Sequence, residues 1–284
     1  MTLSEFKNSA SARLSVLYDE REASSIVSIL LQERLGLPAY KILAEPDMDI
    51  RADLVDGLQA DLSQLADGRP LQYVLGVQEF CGHRFKVSEG CLIPRPETEE
   101  LVMKIAESAG GDDREGDAAF NILDMCTGSG CIAWSLAAGF PGAQVFACDN
   151  SDAALRIACR QRIKVQGAKP VFFQCDVLQA PPAGLPKFDL IVSNPPYIAE
   201  PEKSRMRRNV LDYEPSEALF VPDDDALRFY EAIKRWGDAL LSDGGEIWCE
   251  INERFGPATA SVFGSGAEVL QDISGKDRFI RFRK

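Results

Sequence analysis

Apolar positions in the first quarter of the chain recur at helical spacing. In Glu20-Arg-Glu-Ala-Ser-Ser-Ile-Val-Ser-Ile-Leu-Leu-Gln-Glu-Arg34 they return every three or four residues, and Gly36 and Pro38 close the run, which predicts a helix. A second periodic stretch spans residues 50–65 and breaks at Asp67-Gly-Arg-Pro70. No strand-like alternation occurs before residue 70, so residues 1–75 read as a small helical domain. The pattern then changes. Tyr73-Val-Leu-Gly-Val-Gln-Glu-Phe80 and His83-Arg-Phe-Lys-Val87 are short and rich in β-formers, and Cys81-Gly82 separates them as in a hairpin, so residues 76–93 are expected to be a β-hairpin connector. Residues 98–107 resume a helix with Leu101, Val102 and Ile105 on one face, and residues 110–117 read as a loop.

From residue 121 the pattern alternates. Strand-like runs occupy 121–125, 144–148, 171–175, 188–193, 246–251, 268–273 and 279–282, with helical runs between, notably 151–165 and 225–241. Strands alternating with helices make parallel β-α-β units, so residues 94–284 are expected to form an α/β domain with a Rossmann-like seven-stranded sheet. The last two runs leave no room for a helix and suggest an antiparallel pair closing one edge. Ligands of such sheets bind beyond the carboxyl ends of the strands, so the residues after each strand carry the chemistry.

After the first strand, Asp124-Met-Cys-Thr-Gly-Ser-Gly130 leads into a helix. Gly128 and Gly130 permit positive φ and let a ligand approach bare backbone, and the helix start offers N–H donors. Gly-x-Gly-x-x-Ala also fits a dinucleotide, and a tight turn without a ligand is the bland alternative. Asp124, at the strand end, disfavours a pyrophosphate but can accept from an α-ammonium, directly or through water, which points to S-adenosylmethionine. Asp149 ends the second strand, where a carboxylate accepts from ribose hydroxyls of either cofactor, provided Ser151 or Asp152 caps the following helix. Asp176-Val177 follows the third strand, where an acidic side chain or amide would meet an adenine edge.

The fourth strand ends in Asn194-Pro-Pro-Tyr197, the most specific feature of the chain. An amide nitrogen is a poor nucleophile, and a site that alkylates it should hold both of its N–H groups. Asn194 offers a side-chain oxygen and Pro195 a carbonyl, while proline contributes no competing N–H and Pro195 and Pro196 stiffen the corner. Tyr197 offers a flat face. An ordinary Asn-Pro turn is the alternative.

Composition narrows the classes. Hydrophobic residues make up 45% of the chain, ample for a core. The charge of −13 gives no electrostatic drive toward nucleic-acid backbones, so no direct sequence-specific nucleic-acid binding is expected. The eight cysteines form no Cys-x-x-Cys pair, and His83 is the one histidine, so no metal site is expected and buried free thiols fit a reducing, cytoplasmic setting. No apolar run is long enough to span a bilayer. The Lys203-Ser-Arg-Met-Arg-Arg208 cluster reads either as a solvated loop or as a partner contact.

Over nearly its whole length the chain resembles the HemK/PrmC family, the protein-glutamine methyltransferases of peptide chain release factors. The motifs are Leu92-Ile-Pro-Arg-Pro-Glu-Thr-Glu99, Asp124-Met-Cys-Thr-Gly-Ser-Gly130, Ser193-Asn-Pro-Pro-Tyr-Ile198, Tyr213-Glu-Pro215 with Ala218-Leu219, and Asp277-Arg-Phe279. The resemblance implies a class I S-adenosylmethionine-dependent methyltransferase fold behind a helical substrate-recognition domain. It implies as substrate the glutamine of a release factor's Gly-Gly-Gln loop, so that methylation modulates translation termination. Thr127, Gly128, Ser129, Gly130 and Asp149 would contact the cofactor, and Asn194, Pro195, Pro196 and Tyr197 the glutamine. Cys126 stands where the family usually has glycine, and Val177 where it often has tryptophan. Three alternatives are weighed against this: an adenine-N6 DNA methyltransferase, which can share Asn-Pro-Pro-Tyr but needs a basic surface and a target-recognition domain; a non-catalytic nucleoside-binding scaffold; and a dinucleotide oxidoreductase, which gives Asn194-Pro-Pro-Tyr197 no role.

Overall fold

The structure, a computed structural model, describes residues 1–109 and 120–284; the loop expected at 110–117 lies outside the described residues. The chain divides into two compact units, Met1–Gly76 with Arg207–Tyr213, and Val77–Met206 with Glu214–Lys284.

The first unit is helical: α1 (Leu3–Leu14), α2 (Glu20–Leu35), α3 (Ala39–Ala44), α4 (Ala52–Ala66) and α5 (Leu71–Leu75), with a later short helix at Arg208–Tyr213. Local chemistry sets the ends. Thr2 and Glu5 form a capping box on α1, Asp19 caps α2, and Gly36 closes α2 at φ 64°. Phe6, Leu14, Val27, Leu30, Leu31, Leu58 and Leu62 form its core. Residues 73–75 are helical rather than part of the hairpin: Val74 is buried in this helical core and Gly76, at φ 75°, ends the turn. Burial overrides the β-preference of Tyr73-Val-Leu there.

The second unit opens with the hairpin β1 (Val77–Phe80) and β2 (His83–Lys86), paired antiparallel through Phe80 and His83. Both turn residues, Cys81 and Gly82, have positive φ, as a two-residue hairpin loop twisted to match its strands requires. Phe80 and Phe85 pack into the core beside Leu101 and Ile105 of α6 (Pro96–Ser108). Next come β3 (Phe120–Met125), α7 (Cys131–Gly139), β4 (Ala143–Asp149), α8 (Asp152–Ala158), β5 (Val171–Gln174) and β6 (Phe188–Ser193). The short strands β7 (Ile198–Ala199) and β8 (Phe220–Val221) pair in parallel. The helix Arg208–Tyr213, α9 in chain order, lies between them in sequence. The chain ends with α10 (Arg228–Leu240), β9 (Leu241–Glu250), α11 (Gly256–Phe263), β10 (Ala267–Gln271) and β11 (Asp277–Arg283).

The sheet order is β10-β11-β9-β6-β3-β4-β5. Strands β3, β4, β5, β6 and β9 run parallel, and β11 is antiparallel to both β9 and β10. This is the seven-stranded class I methyltransferase arrangement, with the expected antiparallel pair at one edge. Side chains alternate between faces, as the pleat demands. Ile122, Val145, Leu190, Val192, Trp248 and Phe279 join the core under α6 and α7, while Leu123, Ile191, Ile247, Cys249 and Ile280 join the core under α10 and α11. Among the described residues no helix is long and apolar enough to cross a membrane.

One helix is shorter than its periodicity predicts. α8 stops at Ala158 instead of running to residue 165. Gln161, buried just beyond, leaves the helical path because its amide is needed elsewhere. Its Oε1 accepts from the Lys86 N–H (2.8 Å), and its Nε2 donates to the carbonyls of Lys86 (2.9 Å) and Ser129 (3.0 Å). A single side chain thus ties β2 to the glycine turn.

Candidate active site

The carboxyl ends of β3, β4, β5 and β6 open onto one cleft within the second unit. Among the residues lining it are Cys126, Gly128, Asp149, Asp176, Val177 and Asn194. Of the other expected cofactor residues, Asp124, Thr127, Ser129 and Gly130 do not line it. Asp124, Thr127 and Ser129 are buried.

The buried ones build the turn. Asp124 Oδ2 accepts from Thr127 Oγ1 (2.5 Å) and from the Ala133 N–H of α7 (3.0 Å). Its Oδ1 is buried with no hydrogen-bond partner. Burial pushes this carboxyl up to about 7, against the pull of those two donors. Gly130, at φ 80°, is required by packing: a Cβ there would stand 3.0 Å from Ala158 Cβ and 3.1 Å from the Trp134 ring. Gly128, at φ 54°, has open space where a Cβ would project, and it lines the cleft. Cys126 holds φ 60° without being glycine, and burial drives its thiol well above the ordinary range.

Asp149 is not left free, although Ser151 does cap α8 as expected. Asp149 Oδ2 accepts from the Gly128 N–H (2.8 Å) and Oδ1 from the Ser151 N–H (2.9 Å). Burial raises this carboxyl, and neighbouring Glu217 raises it further. The turn's own N–H groups are largely committed. Thr127 donates to Cys148, Gly128 to Asp149, Gly130 to Thr127 and Ala133 to Asp124. Those four N–H groups serve the fold, so fewer donors at the helix start face a ligand than its sequence offers. Asp176 Oδ1 accepts from the Leu178 N–H (2.9 Å) and Val177 is buried at the cleft wall.

At the end of β6, Asn194 and Pro196 line the cleft, whereas Pro195 and Tyr197 do not. Tyr197 does not offer its face to the cleft. It packs into the core under α10, and its hydroxyl donates to Glu250 Oε1 (2.8 Å). Asn194 Nδ2 donates to Thr98 Oγ1 (3.0 Å), which in turn donates to Glu250 Oε2 (2.7 Å). The corner is held from its other side by Asn252, whose Nδ2 donates to the Tyr197 carbonyl (3.2 Å) and to Glu202 Oε1 (2.8 Å). Ser193 Oγ donates to the Met125 carbonyl (2.7 Å), fixing the β6 end to the β3 end.

Residues not named as site residues from the sequence complete the cleft: Gly90, Cys91, Glu217 and Phe229, with Leu92, Pro215 and Ala218, which stand in motifs that carried the resemblance. Glu214 explains how two of these motifs meet. Buried, it accepts from the Ile93 N–H (3.1 Å) and from Arg95 Nη2 (2.5 Å), joining Ile-Pro-Arg-Pro to Tyr-Glu-Pro. Thr98 sits in Pro-Glu-Thr-Glu, which sequence alone reads as a helix start. Glu250 carries a usable signal, a lone acid at the end of the apolar strand Ile247-Trp-Cys-Glu250. Of the basic run 203–208, Lys203 pairs with Glu200 (2.6 Å) and Arg208 with Asp212 (3.6 Å), while Arg207 meets Glu22 within the helical unit.

The electrostatics select among ligands. Asp149, Asp176 and Glu217 line the cleft, and no lysine or arginine does among the described residues. A pyrophosphate would meet three carboxylates and no cation. A cationic ligand with a ribose fits, and the unpartnered Asp124 Oδ1 leaves one acceptor uncommitted beside the turn. The residues present therefore suit S-adenosylmethionine and not a dinucleotide.

Comparison with known proteins agrees. Residues 5–76 match the PrmC N-terminal domain and residues 113–212 the methyltransferase small domain. A release factor glutamine methyltransferase of Bacteroides thetaiotaomicron is 40% identical over 271 residues, 94% of this chain and 95% of that protein. The protein of the same name from Flavobacterium psychrophilum is 37% identical over 99% of each chain, and that from Bacillus subtilis 34% identical over 94% of this chain and 93% of its own.

Proposed function

This chain belongs to the release factor glutamine methyltransferase family, and from that premise we propose which of its residues perform the reaction. It is a protein methyltransferase that uses S-adenosylmethionine to methylate a glutamine of a peptide chain release factor. The adenine-N6 and scaffold readings are not favoured by these relatives. The observation that carries the residue assignment is that Asn194 and Pro196 line the same cleft as Gly128, Asp149 and Asp176.

Asp149 would accept from the ribose hydroxyls with the lone pairs that Gly128 and Ser151 leave, and Asp176 and Val177 would border the adenine. Asp124 Oδ1, buried and unpartnered, would accept from the α-ammonium, directly or through a water. When bound, the cofactor supplies an electrophilic methyl group on a sulfonium. Asn194 Oδ1 and the Pro195 carbonyl each accept an N–H of the substrate amide, holding its plane and turning its nitrogen toward the cleft. Both acceptors strengthen as positive charge develops on that nitrogen. Holding two N–H groups on a stiff corner supplies part of the barrier reduction through orientation alone. Tyr197 acts from behind, as an anchor of the corner rather than a stacking face. The substrate glutamine is that of the Gly-Gly-Gln loop, the helical unit reads the rest of the release factor, and the protein works in the cytoplasm.

Radiolabelled cofactor offered to purified release factor, duplex DNA and RNA together should label only the release factor, with one methyl group on glutamine. Label on either nucleic acid would overturn the substrate assignment. Asn194→Ala should abolish transfer while leaving cofactor binding within about twofold.

A further inference from the structure

We propose that Thr98 and Glu250 are positioning residues that dictate which end of the Asn194 amide faces the cleft. The proposal rests on Asn194 being the residue that accepts from the substrate amide. An asparagine side chain is nearly symmetric in shape but not in chemistry: turned one way it offers an acceptor, turned the other way two donors. A substrate NH2 needs the acceptor. Nothing in Asn-Pro-Pro-Tyr itself makes that choice.

The choice comes from β9. Glu250 is 1% exposed, and each of its oxygens takes one hydroxyl, Thr98 at 2.7 Å and Tyr197 at 2.8 Å. An ionised carboxylate only accepts, so the Thr98 proton must point at Glu250. Thr98 Oγ1 is then left with lone pairs alone and can only accept from Asn194, at 3.0 Å. That turns the NH2 of Asn194 toward Thr98 and its Oδ1 the other way, into the acceptor position. The relay has one direction as long as its far end is an acceptor.

Glu250→Gln reverses it without changing its shape. The Tyr197 hydroxyl still needs an acceptor, so the glutamine oxygen stays opposite Tyr197 and its NH2 faces Thr98. Thr98 now accepts there and donates to Asn194 Oδ1, and the NH2 of Asn194 swings to the cleft, where it opposes the substrate's N–H groups. The proposal predicts a kcat on release factor lower by at least roughly a hundredfold, with thermal midpoint and cofactor affinity unchanged. Asn194→Asp has the converse fault. Beside an ionised Glu250, the Thr98 oxygen has no proton to give, and two acceptors face each other, so this variant is also impaired. Combined, the two changes are compatible: the introduced glutamine donates to Thr98, Thr98 donates to one oxygen of the introduced aspartate, and the second aspartate oxygen accepts at the cleft.

The test is a double-mutant cycle of Glu250→Gln and Asn194→Asp, read as kcat and KM for release factor and as cofactor affinity. Recovery of kcat at least about tenfold above either single variant is expected, and Thr98→Ser should retain the kcat that Thr98→Val loses. Losses that simply multiply, or a Glu250→Gln enzyme within about twofold of wild type, overturn the relay while leaving the Asn194 assignment standing. An Asn194→Ala enzyme with undiminished turnover overturns the assignment itself, and the relay with it.

Discussion

Two carboxylates stand behind the cleft, and they do opposite things. Asp124, at the end of β3, and Glu250, at the end of β9, are both fully buried, and burial raises both above the ordinary carboxyl range. Each Glu250 oxygen accepts one hydroxyl and the side chain does not line the cleft, so it acts through Thr98 and Tyr197. Asp124 gathers its donors onto Oδ2 and leaves Oδ1 bare. A buried acid whose two oxygens each hold a hydroxyl sets the direction of its neighbours. One with a bare oxygen is the proposed acceptor for a cation. The two loops in front differ in the same spirit. The turn over Asp124 is fixed by positive φ at Cys126, Gly128 and Gly130, and the corner over Glu250 by two prolines.

The sharpest way to break this contrast is Asp124→Asn. Losing one partner of a desolvated charge pair costs about 2–5 kcal/mol, so cofactor affinity should fall roughly a hundredfold. The variant should nevertheless fold, because it removes the burial of a charge. Isothermal titration and a thermal melt at about pH 8 separate the two effects. An affinity within about threefold of wild type would mean that Oδ1 never meets the ligand.

The same acid gives a pH signature. Folding raises Asp124 from 3.8 to about 7, so the stability it confers is full below pH 3.8 and is lost as pH rises through about 7, by roughly 4 kcal/mol in all. A cationic ligand needs the ionised form. Cofactor affinity should therefore weaken as pH falls below about 7, approaching tenfold per pH unit, with a proton released on binding near neutrality. Titrations in buffers of different ionisation enthalpy would detect that proton, and Asp124→Asn should abolish the dependence. A flat profile in the wild-type protein would place the pair elsewhere.

Gly130→Ala probes the turn by packing rather than charge. The new methyl group meets Ala158 Cβ at 3.0 Å in a left-handed backbone conformation, and Ala158 is fixed in α8 by its neighbours. Overpacking plus strain should cost about 2 kcal/mol, visible as a melting point lower by about 4–8 °C. A melting point unchanged within about 1 °C would show that α8 yields.

Much of this is legible in the sequence. The seven strands, their antiparallel edge and the placing of Asp149, Asp176 and Asn194 after successive strands follow from alternation and from the rule for parallel sheets. What is not legible is whatever depends on a partner distant in the chain. Thr98 and Glu250 are 152 residues apart; a lone acid closing an apolar strand marks Glu250, but nothing local marks Thr98 or pairs the two. Gln161 ends α8 early only because Lys86 and Ser129 are there to receive its amide. Sequence alone leaves Asp149 free, and what occupies it is a backbone N–H from the neighbouring turn, 21 residues away. Local pattern reports which element a residue joins; it does not report which of its lone pairs are already engaged.

The smallest expected effect tests whether the turn's strain matters at all. Cys126 holds a left-handed conformation that costs a side-chain-bearing residue about 1–2 kcal/mol, which Cys126→Gly would relieve. Against that, glycine gains about 0.4–1 kcal/mol of freedom in the unfolded chain. The variant also gives up the packing of a thiol against the core under α10. These contributions oppose one another at similar size, so the melting point should move by less than about 3 °C and cofactor affinity by less than about twofold. A clear rise in stability would show that the strain is retained at a cost for something the thiol does at the cleft. A clear loss of cofactor affinity would show that Sγ touches the ligand, and that the turn, like the corner, recognises with a side chain and not only with its backbone.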